Sequence, residues 1–229
     1  MASYIMRIVG ESVQSSSERS FIGGHPVIPL EYGLPACQLC DSPLTFFYQI
    51  AFPIGHAWHG KSMAVFACTC CVDEDHYIPR MLDVPLPGAV IPEDFIRDCQ
   101  NNFRIIVFPT GDGVMRSGYE PKVKYKTIEL LPSDDDTNGN KVGGHPNWLL
   151  EDESPAMLEN GTPMVFIMQL LEGFTFETLP SAQPQAKLNL RGDVHYPDSE
   201  YYELFISNQV YFFGTVSGEP VAYVLTQID

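Results

Sequence analysis

Five of the six cysteines fall into two short runs, PACQLCDS at 35–42 and FACTCCVD at 66–73. Cys37 and Cys40 form a C-x2-C knuckle, and Cys68 and Cys71 repeat that spacing further along the chain. A knuckle presents two thiolates to one ion, and a second pair completes the tetrahedron that zinc accepts. The pattern therefore predicts one structural zinc held by Cys37, Cys40, Cys68 and Cys71. Cys70 is the substitute for Cys71 if the strand runs on and C-x-C geometry applies. Four thiolates leave no position for a water, so the metal is expected to support the fold and not to catalyse. Cys99 stands apart as an isolated thiol.

Other reactive residue types lack the neighbours that chemistry needs. His56 and His59 in GHAWHG have an H-x2-H spacing, but a zincin helix reads H-E-x2-H and no glutamate follows the first histidine. No G-x-S-x-G elbow or glycine-rich phosphate cradle occurs. Asp134, Asp136, Asn138 and Gly139 begin a calcium-loop register, yet His145 occupies the twelfth position and Lys141 brings a positive charge, so the stretch reads as an acidic linker. The chain is expected not to be an enzyme.

The elements that must position the cysteines are strands. LTFFYQIAF, KSMAVFACT, FRIIVFP, VKYKTIELL, MVFIMQLL, YYELFIS, QVYFFGTV and PVAYVLTQI are apolar, β-branched or aromatic runs bounded by Gly, Pro, Asn or Asp. PEDFIRDCQNNF is the best short helix. The expected class is α+β, dominated by β structure.

The chain also repeats itself. GGHP occurs at 23–26 and at 143–146, and an ungapped shift of 120 residues matches eleven of twenty-seven positions, where composition alone gives roughly two. Two copies are too few for a solenoid, so two related lobes about a pseudo-twofold axis are expected, residues 1–132 with the cysteine cluster and 133–229 without it, together one compact domain. His25 and His145 recur in both copies, which points to the turn and not to a duplicated active site.

Thirteen basic against twenty-nine acidic residues give a formal charge of −16. Such a surface repels nucleic-acid phosphates and suits docking on a basic protein. The first twenty residues hold no apolar core of a signal peptide, and no apolar run is long enough to cross a bilayer. A cytoplasmic protein is expected, monomeric or paired with its partner.

The order GG-x-P, proline loop, C-x2-C, PL-x-F-x3-QI resembles the YwqG-like family, a duplicated β-rich domain. WHGKSMAVFACTCC, together with that order, is similar to the amino-terminal half of ribosomal-protein chaperones of the programmed-cell-death-two type. The resemblance covers residues 21–71 and 141–170. It implies a protein-binding scaffold, and some YwqG-like proteins are immunity proteins (antitoxins) paired with type VI secretion toxins, nucleases among them. On this reading the chain binds and neutralises a basic nuclease toxin, with Asp73, Glu74, Asp75, Glu151, Asp152 and Glu153 as contact candidates. The chaperone resemblance implies instead a basic client such as a ribosomal protein.

Overall fold

Apolar runs flanked by turn residues become ten strands of one sheet: β1 (Ser3–Val9), β2 (Phe21–Ile22), β3 (Thr45–Ala51), β4 (Lys61–Ala67), β5 (Phe103–Pro109), β6 (Lys126–Ser133), β7 (Lys141–Gly143), β8 (Met164–Leu170), β9 (Gln209–Thr215) and β10 (Ala222–Gln227). The computed structural model describes residues 2–10, 13–82, 87–134 and 137–229, so Asp136 of the calcium-like stretch lies outside the described residues. In space the strands run β10-β9-β8-β7-β1-β6-β2-β3-β4-β5, and every pairing is antiparallel.

The protein is β-dominated, as expected, with one α-helix among the described residues, α1 (Glu93–Asp98). This helix follows Pro92 and carries Glu93 and Asp94 in its first turn, where acids favour the unpaired amide end. No helix of the described residues is long and apolar enough to cross a membrane.

Two sequence readings need correction. The run YYELFIS was expected to be a strand, but extended structure stops at Glu203. Phe205, Ile206 and Ser207 then take left-handed φ values of 51°, 54° and 58°. Three such residues in a row are costly for L side chains, more so for a β-branched one. They are held by Phe205 edge-on against Phe103 at 5.2 Å and by the Gly173 amide donating to the Ser207 carbonyl at 2.8 Å. The second correction is β1, which the sequence reading passed over. It lies at the centre of the sheet, between β7 and β6, with Arg7 of β1 ion-paired to Glu129 of β6.

β1 spans the two parts of the chain: it pairs with β7 on one side and with β6 on the other, and β6 in turn pairs with β2.

The two GGHP segments are built alike. Gly23 and Gly24 have φ of 58° and 67°, and Gly143 and Gly144 have 75° and 73°, the region that favours glycine. The buried side chain of Gln49 accepts from the Val27 amide (3.2 Å) and donates to the Arg19 carbonyl (3.3 Å). That of Gln169 accepts from the Asn147 amide (2.8 Å) and donates to the Gly139 carbonyl (3.0 Å). Both strands carry a register shift at the same place, between Phe46 and Tyr48 in β3 and between Phe166 and Met168 in β8.

Apolar side chains collect in three clusters. The largest joins Phe47, Tyr48, Trp58, Ile167, Met168 and Phe212 across the whole sheet. A second, of Phe21, Phe46, Phe66, Phe108 and Tyr119, takes in Cys37 and touches Cys68 and Cys71. The third packs α1 and Trp148 against β8, β9 and β10.

Candidate metal centre

The proline-bearing loop after Leu34 doubles back through a bridge between Ala36 and Pro43. Inside it the Asp41 amide donates to the Cys37 carbonyl (2.9 Å), and Asp41 itself takes a left-handed φ of 58°. That tight turn aims Cys37 and Cys40 at the end of β4. There the chain leaves the strand at Ala67 and turns, so Cys68 and Cys71 face the knuckle.

The sulfurs converge as the spacing predicts. Cys37 Sγ lies 3.7 Å from Cys71 Sγ, Cys40 Sγ 3.8 Å from Cys68 Sγ, and Cys68 Sγ 3.5 Å from Cys71 Sγ. All four ligand atoms fall within 4.8 Å of one another. A zinc tetrahedron with bonds of about 2.3 Å has sulfurs roughly 3.8 Å apart, whereas a disulfide needs about 2.05 Å. The donor set fits zinc, and these are four free thiols. Cys70 is not part of the set: its amide, like that of Cys71, donates to Cys68 Sγ at 3.4 Å. Such N–H···S contacts orient and stabilise a thiolate ligand.

Thiol acidity varies across the cluster. Burial pushes Cys68 up to about 12 against the pull of the two amides. Burial also pushes Cys71 well up, and the neighbouring thiols add to the rise. Cys40 is more open; burial raises it, but hydrogen bonds with the Ser42 side chain and backbone and with the Cys71 and Cys37 thiols together outweigh that and bring it down to about 7. Zinc must displace protons from the buried pair, so its binding releases acid. Cys99 is separate, its thiol pushed up by burial to about 11 and donating to the Ile96 carbonyl at 3.4 Å.

Beside the cluster opens a cleft of about 420 Å3 whose walls include Cys68, Cys71, His76, Asn102 and Ile206. Lys187 and Glu203, ion-paired at 2.6 Å, line its far side. Sequence reasoning missed this far wall. Its residues come from two short strands, Lys187–Leu188 and Tyr201–Glu203, that carry no long apolar run, and from the left-handed turn, which contains no glycine to announce it.

The six acidic contact candidates fall into two groups. Asp73, Glu74 and Asp75 are exposed and follow the cluster directly; Asp73 accepts from His76 Nδ1 at 2.7 Å. Glu151 and Asp152 are exposed and Glu153 is half-buried. They are tied to the end of β10, where the Gln227 amide donates to the Glu151 carbonyl (2.8 Å) and to Glu153 Oε2 (3.0 Å). No hydrogen bond or ion pair joins the two groups among the described residues.

His56 belongs to the core. It stacks on Phe52 at 4.5 Å, its Nδ1 accepts from the Trp58 amide and its Nε2 faces the Ile167 carbonyl, both at 3.0 Å. These partners require the neutral ring with its proton on Nε2. Burial lowers its pKa to about 4 despite the Ile167 carbonyl, which favours the cation. A base depressed in the folded state contributes stability that is complete above its unfolded value near 6.5. That contribution is lost as pH falls from about 6.5 to about 4 and amounts to about 3 kcal/mol. Urea denaturation across this range should show the loss, and His56→Gln should flatten it.

Compared with protein-family models and with curated protein sequences, the chain matches none.

Proposed function

We propose that this protein works by binding and not by chemistry, as an acidic immunity-type inhibitor that occludes a basic toxin. The nuclease class of toxin is the partner its charge suits best. The observation that carries this reading is the formal charge of −16, part of it in an exposed acidic loop directly after the cysteine cluster. Nucleases hold their substrate on basic surfaces, and an acidic inhibitor is steered onto such a surface while covering it. In this reading Cys37, Cys40, Cys68 and Cys71 hold one structural zinc that fixes the loop carrying Asp73–Asp75.

The scaffold is proposed to be an internal duplication of two lobes. Support comes from the 120-residue correspondence of Gln49 with Gln169, of the bulges in β3 and β8, and of the paired glycines. Ser20 Oγ, which accepts from the Ala51 amide, corresponds to Asn140 Oδ1, which accepts from the Leu171 amide. Tyr48 and Met168, themselves 120 residues apart, meet at 3.9 Å. That contact lies where a twofold axis between the lobes would pass.

Co-expression with a basic nuclease toxin tests the reading. Protection with a stable complex supports it; cells that die as readily with the protein as without it overturn it. Reversing Asp73, Glu74 and Asp75 to lysine should slow association about tenfold while dissociation changes little, and raising salt to 0.5 M should slow the native protein similarly, to be read by stopped-flow mixing (both order-of-magnitude).

A further inference from the structure

β5 ends the ten-strand order at one side and β10 at the other, and both border one groove of about 520 Å3 that contains Ile105, Val107 and Ala222. A second groove, of about 550 Å3, runs along the same stretch of β5 from Arg104 to Val107. The sheet curls until its two ends face each other, and the ends are not paired: no ladder joins β5 to β10.

The hydrogen-bond parity of β5 says which groups point into this gap. The Cys68 amide donates to the Asn102 carbonyl and the Thr110 amide to the Gly60 carbonyl. With the register Arg104↔Phe66, Ile106↔Ala64 and Phe108↔Ser62, the even-numbered residues bond to β4 and the odd-numbered ones face outward. Ile105 confirms it, since its amide is taken by a side chain, Gln100 Oε1 at 2.8 Å, in the place a neighbouring strand's carbonyl would fill. Gln100 is buried there. Two residues on, the Val107 amide and carbonyl have the same outward direction. Pro109, with no amide, then ends the edge.

We infer that the outward edge of β5 at Ile105–Val107 is a strand-addition site that takes an extended, lysine- or arginine-bearing segment of a partner protein. An added strand gains main-chain hydrogen bonds, while alternate side chains drop into pockets on either face. Glu31, Glu93 and Glu219 line the grooves, against Arg104 as the single cation among the described lining residues. Tyr32, Leu34 and Pro220 supply apolar wall. Acidic rim and apolar floor together select a basic segment with alternating apolar residues. The inference rests on the reading of the protein as a binder of basic partners and adds where and in what conformation the partner is held.

The test uses the full protein and a fluorescein-labelled nonapeptide that alternates lysine with valine, beside a counterpart with glutamate for lysine. The lysine peptide should bind by fluorescence anisotropy, the glutamate peptide should not, and hydrogen exchange at the Val107 amide should slow on binding. Val107→Pro removes one outward amide and no ladder bond, which an edge position tolerates. It should weaken binding about tenfold, a loss of one buried hydrogen bond plus the fit around it. Glu219→Lys, on the hairpin before β10, should weaken it without touching the strand. If the lysine peptide binds Val107→Pro and Glu219→Lys as well as the native protein and leaves Val107 unprotected, the edge site is overturned while the acidic-binder reading stands. If no binding of the lysine peptide is seen, the edge site fails as well. Protection at Val107 with no rescue from any basic toxin would overturn the toxin reading and keep the site.

Discussion

Protein purified without chelator is expected to carry one zinc per chain, and Cys68→Ser is expected to lose both the metal and the fold around it. Structural zinc contributes on the order of 10 kcal/mol in small sites, comparable with the whole stability of a domain, about 5–15 kcal/mol. The sulfurs lie at zinc-like separations, and the site is the wall of a core cluster in which Cys37 is buried with Phe46 and Phe66. Removing the ion would leave thiols crowded together and the 35–43 loop untethered. Cys70→Ser, by contrast, should keep a full equivalent, because Cys70 stands outside the four. Elemental analysis of the three proteins decides the matter. Native protein with no zinc, or with a Cys37–Cys40 disulfide in reducing buffer, would reject the metal centre; zinc lost from Cys70→Ser would reject this ligand set.

Trp58→Ala is expected to cost about 3–5 kcal/mol, the range for deleting a large buried aromatic. Trp58 is almost fully buried and comes from the turn after β3, yet it packs across the sheet on β9. Its Nε1 donates to the Thr215 carbonyl at 2.8 Å, and Phe52 meets it edge-on at 5.3 Å. Gly214 lies directly beneath the indole, where a Cβ would overlap the ring. Gly214→Ala alone should therefore destabilise, and most of that cost should vanish in a Trp58→Ala background, since the two residues share one space. Guanidinium denaturation of the four proteins measures the coupling. Additive effects would show that ring and glycine do not depend on each other.

The four-cysteine cluster was legible because ligand geometry is written in short spacings: two C-x2-C pairs bring four thiols to one point, and the choice between Cys70 and Cys71 needed the folded chain. The hairpin strands were legible for a similar reason, as LTFFYQIAF and QVYFFGTV are apolar on both faces and bounded by turn residues. β1 was not. Its burial runs buried, half, half, buried, exposed, half, exposed, with no clean period of two, and Arg7 in its middle is exposed, its charge met by an exposed Glu129 on the neighbouring strand. The left-handed turn at Phe205–Ser207 was hidden for the opposite reason. Phe205 and Ile206 have strong strand preference, which the packing of Phe205 on Phe103, the bond from Gly173 and the turn's own bonds from the Ser207 and Asn208 amides override. The far wall of the cleft inherits that opacity. The open edge of β5 could be seen only once the strand order was known, because FRIIVFP reads the same whether or not a neighbour lies beside it.

The placement of β1 has a consequence for synthesis. Ser3 is paired with Gly143 on one side and with Ser133 on the other, so β1 has no partner in the sheet until synthesis has reached β6, Lys126–Ser133. At about 5–20 residues per second, the stretch from Val9 to Ser133 takes roughly 6–25 s. Throughout it, β2 lacks β6 on one side, and the strand SYIMRIV waits with both edges unsatisfied. Sheets closed by such distant pairings fold slowly and expose adhesive edges while they do so. A ribosome stalled before residue 126 would carry β1 and β2 without the strand that pairs with both of them.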